Sequence, residues 1–443
     1  MNFEETVKKV LTNSLKMVKM YEWLLDLYVL DFFVDDHWSK LPKSWQKVFE
    51  NMDASSLGAI ISGKHTNHML PLSFLALVRA IEAYSLSRKR LFDPESKIPI
   101  SNYLGHPKLK NLFLKHVKLK KRHEISLMAD IVKLTALDAD CNAVVDFGSG
   151  LGHLVRMLAY KHEFHAAGIE CQTQLTEEAR KLDLELEYTV KKHLNADSIS
   201  KLHQPTHYNI TLSSINQLDE LSLPETMENF GLVGLHPCGD LGPLLLKYFV
   251  NSSKVKYICV VGCCYMKLSC GGGNTGYPMS SYLAALDNGL SFVSREIACH
   301  AIEVYCERLV KGDYQDLKVH AYRAALERIL VDNDPKLKHA PVRSIKHTNS
   351  LTFHRYCALA TERLNITLPK CERAWAQGED DLQKWRRVVT VYTLRLALAP
   401  LVETVVLLDR VLFVLEHGLS CTIHPVFDPK ISPRNHIIIA RRK

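Results

Sequence analysis

Four short stretches of this chain carry side chains suited to ligand binding and group transfer, and most stand at the end of an apolar run. In AVVDFGSGLGH (143–153), Asp146 is followed by Gly148, Ser149, Gly150 and Gly152. Alternate glycines let a backbone turn sharply and approach a ligand with no Cβ in the way. Asp146 puts a negative charge beside that ligand. Glu170 closes FHAAGIE (164–170), where an acid at a strand end is placed to hold an adenosine ribose through both hydroxyls. His236, Cys238 and Asp240 stand together in HPCGDL (236–241), and Cys263, Cys264, Tyr265 and Lys267 in GCCYMK (262–267). A histidine with a near-neutral pKa, or a carboxylate, can take the proton of an acceptor hydroxyl. His236 or Asp240 suits that role, with Tyr265 or Lys267 orienting the acceptor.

The glycine spacing separates two kinds of nucleotide turn. A dinucleotide fold prefers G-x-G-x-x-G, with the pyrophosphate on a helix N-terminus. Here the third glycine comes one residue early and an acid precedes the first. Asp-x-Gly-x-Gly-x-Gly (146–152) resembles motif I of class I S-adenosylmethionine (SAM) methyltransferases. That ligand carries a cationic amino group and a sulfonium and no phosphate, so an acid suits it better than an anion cradle does. The bland alternative, a tight turn with no ligand, is disfavoured because strand, acid, glycines and helix all agree. The expected cofactor set is Asp146, Gly148, Ser149, Gly150, Gly152 and Glu170, with His236 beside them. Asp197 is added as an acceptor for the adenine amino group.

These residues need a parallel sheet to bring them to one edge. Val144 and Val145 read as a buried strand and Leu154–Tyr160 as the helix after it. FHAAGIE reads as the second strand, and Gln172–Lys181 as a helix. Tyr188–His193 suits a third strand, although Tyr208–Ile215 is also strand-like. Leu232–Leu235 and Tyr257–Val261 read as the fourth and fifth strands. Their carboxyl ends should then bring His236, Cys238, Asp240, Cys263, Cys264 and Tyr265 beside the cofactor. Ser420–Ile423 and His436–Ala440 read as a terminal hairpin, and Leu394–Glu416 as a long helix broken near its start by Pro400.

The expected class is α/β, a Rossmann-like sheet with helical additions. The expected organisation is a helical N-terminal region (1–105), a SAM-binding core (106–270), a mostly helical insertion (271–390), and the last helix and hairpin of the core (391–443). In the first region Leu24, Tyr28 and Phe32 share helical spacing, and Trp38 and Trp45 read as aromatic anchors of a helical cap. Arg295–Leu309 and Tyr322–Leu330 read as helices of the insertion.

At 443 residues and 47% apolar, the chain can bury one large core or two smaller ones. Its net charge of +8 permits a polyanionic partner without demanding one. Lys118, Lys120, Lys121 and Arg122 form the densest part of a basic stretch that runs from 108 to 122, ahead of a helix expected over Ser126–Leu134. It reads either as a solvated face or as a phosphate-contacting rim for RNA. Twelve cysteines without a disulfide-like pattern, and no secretory leader or membrane span, lead to an expectation of reduced thiols in the cytoplasm or nucleus. No metal is expected. Side chains of Cys263 and Cys264 on an extended strand would point to opposite faces, so these thiols, with Cys238 and Cys270, read as small buried residues.

Together the stretches VVDFGSGLGHL (144–154), GLHPCGDL (234–241), VGCCYMKL (261–268), LVETVVLLDR (401–410) and FDPKISPRN (427–435) resemble the methyltransferase-like protein 25 family. This family is also catalogued as ribosomal-RNA adenine dimethylase domain-containing proteins. DFFVDDHWSKLPKSW (31–45) and KLKKRHE (118–124) match it as well. The resemblance implies a Rossmann-like SAM methyltransferase with extra helical segments. A more distant likeness is to tRNA 2′-O-methyltransferases bearing His-x-Cys-Gly, matched by His236, Cys238 and Gly239. Adenine dimethylation is not expected: the chain has Leu235-His236-Pro237-Cys238 where N6-adenine enzymes hold the flipped base with an Asn/Asp-Pro-Pro-aromatic turn. Pro237-Cys238 also has a likeness to the nucleophile of cytosine-C5 enzymes, without their further cysteine context. The expected function is SAM-dependent methylation of an RNA. The alternatives are a protein acceptor, with the basic run as a solvated face, or a SAM-binding protein without catalysis.

Overall fold

The computed structural model describes residues 2–64, 67–90, 117–193, 199, 203–211, 223–271, 276–312, 317–346, 348, 350–364, 366, 368–369 and 371–442. Two compact units emerge. One comprises Met1–Thr12, Leu86–Gly289 and Glu403–Lys443, the other Asn13–Ser85 and Leu290–Val402.

The first unit holds seven strands: β1 (Ala143–Phe147), β2 (His165–Glu170), β3 (Thr206–Asn209), β4 (Phe230–Cys238), β5 (Val255–Cys263), β6 (Ser420–Pro425) and β7 (His436–Arg441). They lie in the order β3-β2-β1-β4-β5-β7-β6. The first five run parallel, and β7 is antiparallel to both β5 and β6. This is the mostly parallel sheet with a terminal antiparallel hairpin expected from the sequence. Every residue of β1 is buried, and Val144, Val145 and Phe147 are 2% exposed or less. Each such side chain is worth about 1.5–3 kcal/mol when removed from water, so strand identity here follows from the apolar run.

Five helices matter to the site: α1 (Leu119–Asp138), α2 (His153–His162), α3 (Thr173–His193), α4 (Leu241–Asn251) and α5 (Ala399–Glu416). From β1 the chain winds through β2 and β3 to one side, and β4 and β5 extend the other. The winding reverses between β1 and β4, and in open parallel sheets ligands bind outside the carboxyl ends of the strands at such a point. The register sets Asp146 beside Gly168 and Val233, and Cys238 beside Cys263.

Several expectations change. Tyr188–His193 is not a strand but the last part of α3. Thr176, Ala179, Leu186 and Val190 are its buried residues, at spacings that keep one helix face covered through the segment. The third strand is Thr206–Asn209, which begins two residues ahead of the alternative and shares Tyr208 and Asn209 with it. Asp197 and residues 212–215 lie outside the described residues. The helix expected from Ser126 begins earlier, at Leu119, and its first turn holds Lys120, Lys121 and Arg122 from the end of the basic run.

The second unit is helical. Asp53 caps Ala54–Ile61 by accepting from the backbone N–H groups of Ser55 and Ser56. Gly58 lets that helix press against Ile302–Val310, since a Cβ on Gly58 would stand 2.6 Å from Leu309 Cβ. Trp45 is buried, donates Nε1–H to Ser73 Oγ at 2.9 Å, and meets Phe74 edge-on at 5.3 Å between ring centroids. Arg295–Leu309 is two helices, Phe292–Ile297 and Ile302–Val310. Leu24, Tyr28 and Phe32 do not share one: a helix ends at Leu25 and a 3₁₀ turn covers Val29–Asp31, leaving Tyr28 exposed.

Candidate methyl-transfer site

The glycine turn is left-handed at three alternate positions, with φ of 74° at Gly148, 54° at Gly150 and 69° at Gly152. Only glycine takes such values without strain. At Gly152 there is a second reason, because a Cβ would lie 2.4 Å from the His207 ring. At Gly150 a Cβ would meet nothing within 4 Å, so the backbone there borders open space. Glu170 spans the turn: Oε2 accepts the Gly150 N–H at 2.9 Å and Oε1 the Gln172 N–H at 3.0 Å. Oε1 also accepts the Cys171 thiol at 3.4 Å, so it is Oε2 that keeps a second lone pair for a ligand hydroxyl.

Asp146 is 4% exposed and makes no side-chain hydrogen bond among the described residues. Burial pushes its pKa up to about 8, with Lys121 opposing the rise and Glu170 adding to it. A carboxyl held this way gains most from a cation brought beside it. Ser149 Oγ is likewise buried without a partner. An open glycine turn with a desolvated acid beneath it fits a cationic ligand with ribose hydroxyls, and the fit rests on these groups alone.

Near the end of β4, His236 sits at φ 64°, an uncommon value for a residue with a Cβ. Its Nε2 lies 2.9 Å from Glu124 Oε1. The carboxylate assigns the proton to Nε2, leaving the lone pair on Nδ1, which is buried and has no partner. Glu124 is itself buried and also accepts from Ser432 Oγ at 2.5 Å. Burial raises the Glu124 pKa, but the hydrogen bonds from His236 and Ser432 and the charges of His236 and Lys120 outweigh it, and the group ends below the ordinary range. Next to it, His123 Nε2 accepts the backbone N–H of Asp428 at 2.9 Å. The basic segment, the histidine turn and the 427–435 loop thus meet at one carboxylate.

The thiols depart from expectation. Cys264 has φ 50°, so the chain reverses at the end of β5 and its thiol does not point away from that of Cys263. Their sulfurs lie 3.5 Å apart, and Cys264 Sγ is 3.2 Å from Cys238 Sγ. Cys238 and Cys270 are exposed rather than buried, and Cys263 and Cys264 are half-buried. Hydrogen bonds from Cys263 and Cys264 bring the Cys238 pKa down to about 5, against the effect of burial. The Cys263 thiol is pushed up by its bond to Cys238 and by burial.

Tyr265 is 1% exposed, and its hydroxyl donates to Glu403 Oε1 at 2.9 Å. The side chain expected to orient an acceptor is packed in the core instead. Arg88 and Arg434 flank the same carboxylate at 2.5 and 3.4 Å. Asp240 is exposed, with Oδ1 accepting the Ser269 N–H at 2.9 Å, so it ties down the loop after β5. Lys118, Lys120 and Lys121 are exposed along the first turn of α1, and Arg122 donates to the Val117 carbonyl at 2.6 Å.

Residues 120–271 match a methyltransferase-domain model. The matched segment runs from the basic turn of α1 through the glycine turn to the end of the cysteine loop, so it contains both carboxylates and His236. The mouse protein "Probable methyltransferase-like protein 25" is 30% identical over 258 residues, covering 55% of this chain and 42% of that one. Its human counterpart is 28% identical over 271 residues, covering 57% and 43%. The chain therefore spans less than half the length of these curated relatives. A solved structure, the plantazolicin methyltransferase BamL with a triazolic desmethylPZN analog and SAH, overlays with a TM-score of 0.22 at 12% identity, over 64% of this chain and 85% of that one. No helix among the described residues is long and apolar enough to cross a membrane.

Glu124, Ser432 and Glu403 were not singled out from the sequence as site residues. A signal existed for two of them. Glu124 is the first acid after a long cationic run, and Glu403 is a charge inside an otherwise apolar helix. Ser432 carries no such mark.

Proposed function

We propose that this protein transfers a methyl group from S-adenosylmethionine to an RNA, at a ribose hydroxyl. The observation that carries the reading is Asp146, a buried carboxyl without a partner beneath an open glycine turn. Asp146, Glu170 and the amides of 148–152 would hold the cofactor, with Ser149 Oγ a further contact. Bound there, the cofactor supplies a methyl group on a sulfonium, already activated toward a nucleophile.

The chain's own part is alignment and proton removal. Alignment of two reactants accounts for much of such an acceleration. A ribose hydroxyl must also lose its proton as it attacks, and an acceptor at Nδ1 of His236 meets that need. Glu124 fixes the ring and stabilises the imidazolium that forms, as the carboxylate of a catalytic triad does. An amine acceptor would need only a lone pair, so the Glu124–His236 pair favours a hydroxyl. The exposed lysines of α1 sit in the same segment as Glu124 and suit a phosphate backbone. Lys121 is near enough to Asp146 to act on its charge.

Calorimetry with SAM and S-adenosylhomocysteine tests the first step, and Asp146→Ala should abolish the heat. Incubating lysate with methyl-labelled cofactor and digesting with nuclease or protease tests the acceptor. Label released by nuclease alone is the expected result. Release by protease alone would move the acceptor to a protein. Tight binding with no transfer to either fraction would leave a non-catalytic SAM-binding protein. His236→Ala should lower turnover by about 10²–10⁴-fold with cofactor affinity retained.

A further inference from the structure

We infer that Cys238, Cys263 and Cys264 form a site for a thiophilic divalent cation, zinc in the first instance. The inference does not depend on the methyl-transfer reading. The three sulfurs lie within 4.8 Å of one another, with neighbouring pairs at 3.2 and 3.5 Å. Tetrahedral zinc with thiolates at about 2.3 Å sets its sulfurs about 3.8 Å apart, so the cluster need only open slightly. Two strand ends build it. Cys238 and Cys263 are register partners at the carboxyl ends of β4 and β5, and a register shift between Leu235 and Cys238 turns the first of these ends.

The backbone around the cluster is left-handed where a side chain resists it, at His236 and at Cys264. Non-glycine residues held there cost about 1–3 kcal/mol each and tend to mark functional sites. A second, independent observation is Arg410. It is 1% exposed, and none of its guanidinium nitrogens has a hydrogen-bond partner. Its Nη1 would lie 2.9 Å from a Cβ on Gly262, the residue before Cys263. Three thiolates and one divalent cation carry a net single negative charge, and the buried guanidinium supplies the opposing one. Binding displaces the thiol protons to solvent, and no electrons are exchanged. With three protein ligands and Cys238 exposed, the fourth position is left for water or a substrate atom, as in open rather than closed zinc sites.

The test uses the full chain, purified metal-free under reductant and titrated with Co²⁺ alone. The expected result is one equivalent bound, with thiolate-to-cobalt charge-transfer absorption that Zn²⁺ abolishes. Cys238→Ser, Cys263→Ser and Cys264→Ser should each weaken binding by more than about tenfold and lower that absorption, since each removes a ligand. Cys270→Ser should leave both unchanged. A readout without variants is alkylation: Zn²⁺ should protect Cys238, Cys263 and Cys264 from iodoacetamide, as mapped by peptide mass. Absence of the charge-transfer band, a band surviving all three serine variants, or unprotected thiols would overturn the inference. So would a mass two hydrogens lower with no cation uptake, which would mark a disulfide instead.

Discussion

The buried carboxyl of Asp146 predicts that the cofactor-free protein is destabilised by the group that binds the cofactor. With a pKa of about 8 in the fold against an ordinary 3.8, the folded state holds a proton that the unfolded state releases. Stability tied to this group is therefore fully present below the ordinary value and falls as pH rises, until the folded protein also ionises near 8. The interval between the two values, at about 1.4 kcal/mol per pH unit, is worth about 6 kcal/mol when the group is fully ionised and about 4 kcal/mol at neutrality. Asp146→Asn removes the titration while keeping the shape. The variant should be more stable than the wild type at neutral pH by several kcal/mol, a rise in melting temperature of the order of 10 °C, and should lose affinity for SAM. Thermal unfolding by far-UV circular dichroism, followed across pH, checks this. The two melting temperatures should draw together toward acid and separate toward pH 8. Parallel pH profiles, or an asparagine variant less stable at neutrality, would refute the reasoning.

Further predictions follow from the glycine turn, the histidine pair, the basic turn and the helical unit. Gly152→Ala places a Cβ 2.4 Å from His207 at φ 69° and should lower the denaturation midpoint far more than Gly150→Ala, where only the left-handed strain of about 1–2 kcal/mol is felt. Glu124→Gln should keep the fold, as followed by circular dichroism, and lower turnover with little change in cofactor affinity. Lys120→Ala with Lys121→Ala should flatten the dependence of RNA affinity on salt by about 0.7 per lost phosphate contact for a single strand, measured by fluorescence anisotropy. Gly58→Ala forces a Cβ to 2.6 Å from Leu309 Cβ and should cost about 1–3 kcal/mol in chemical denaturation.

By itself the sequence determined four of the five parallel strands, the terminal hairpin and the glycine turn. AVVDFGSGLGH reads as strand, acid, glycines and helix because each step is local: an apolar run, three positions needing positive φ, and a helical period after them. The terminal hairpin and the helix break by Pro400 were legible for the same reason, with α5 beginning at Ala399. Tyr188–His193 was misread because a short β-branched run looks alike in a strand and at the end of an amphipathic helix, and only burial at Leu186 and Val190 separates them. Tertiary structure alone decided which distant groups meet. Glu124 and His236 stand 112 residues apart in the chain yet share a hydrogen bond. Tyr265 turned inward because Glu403, held by Arg88 and Arg434, offers its hydroxyl a buried acceptor. The thiol cluster depended on a single left-handed residue, Cys264, whose φ no pattern of residue types announces. Local propensity acts over a few residues, whereas side chains are paired by the packing of segments far apart in the chain, and that pairing exists only once the chain has folded.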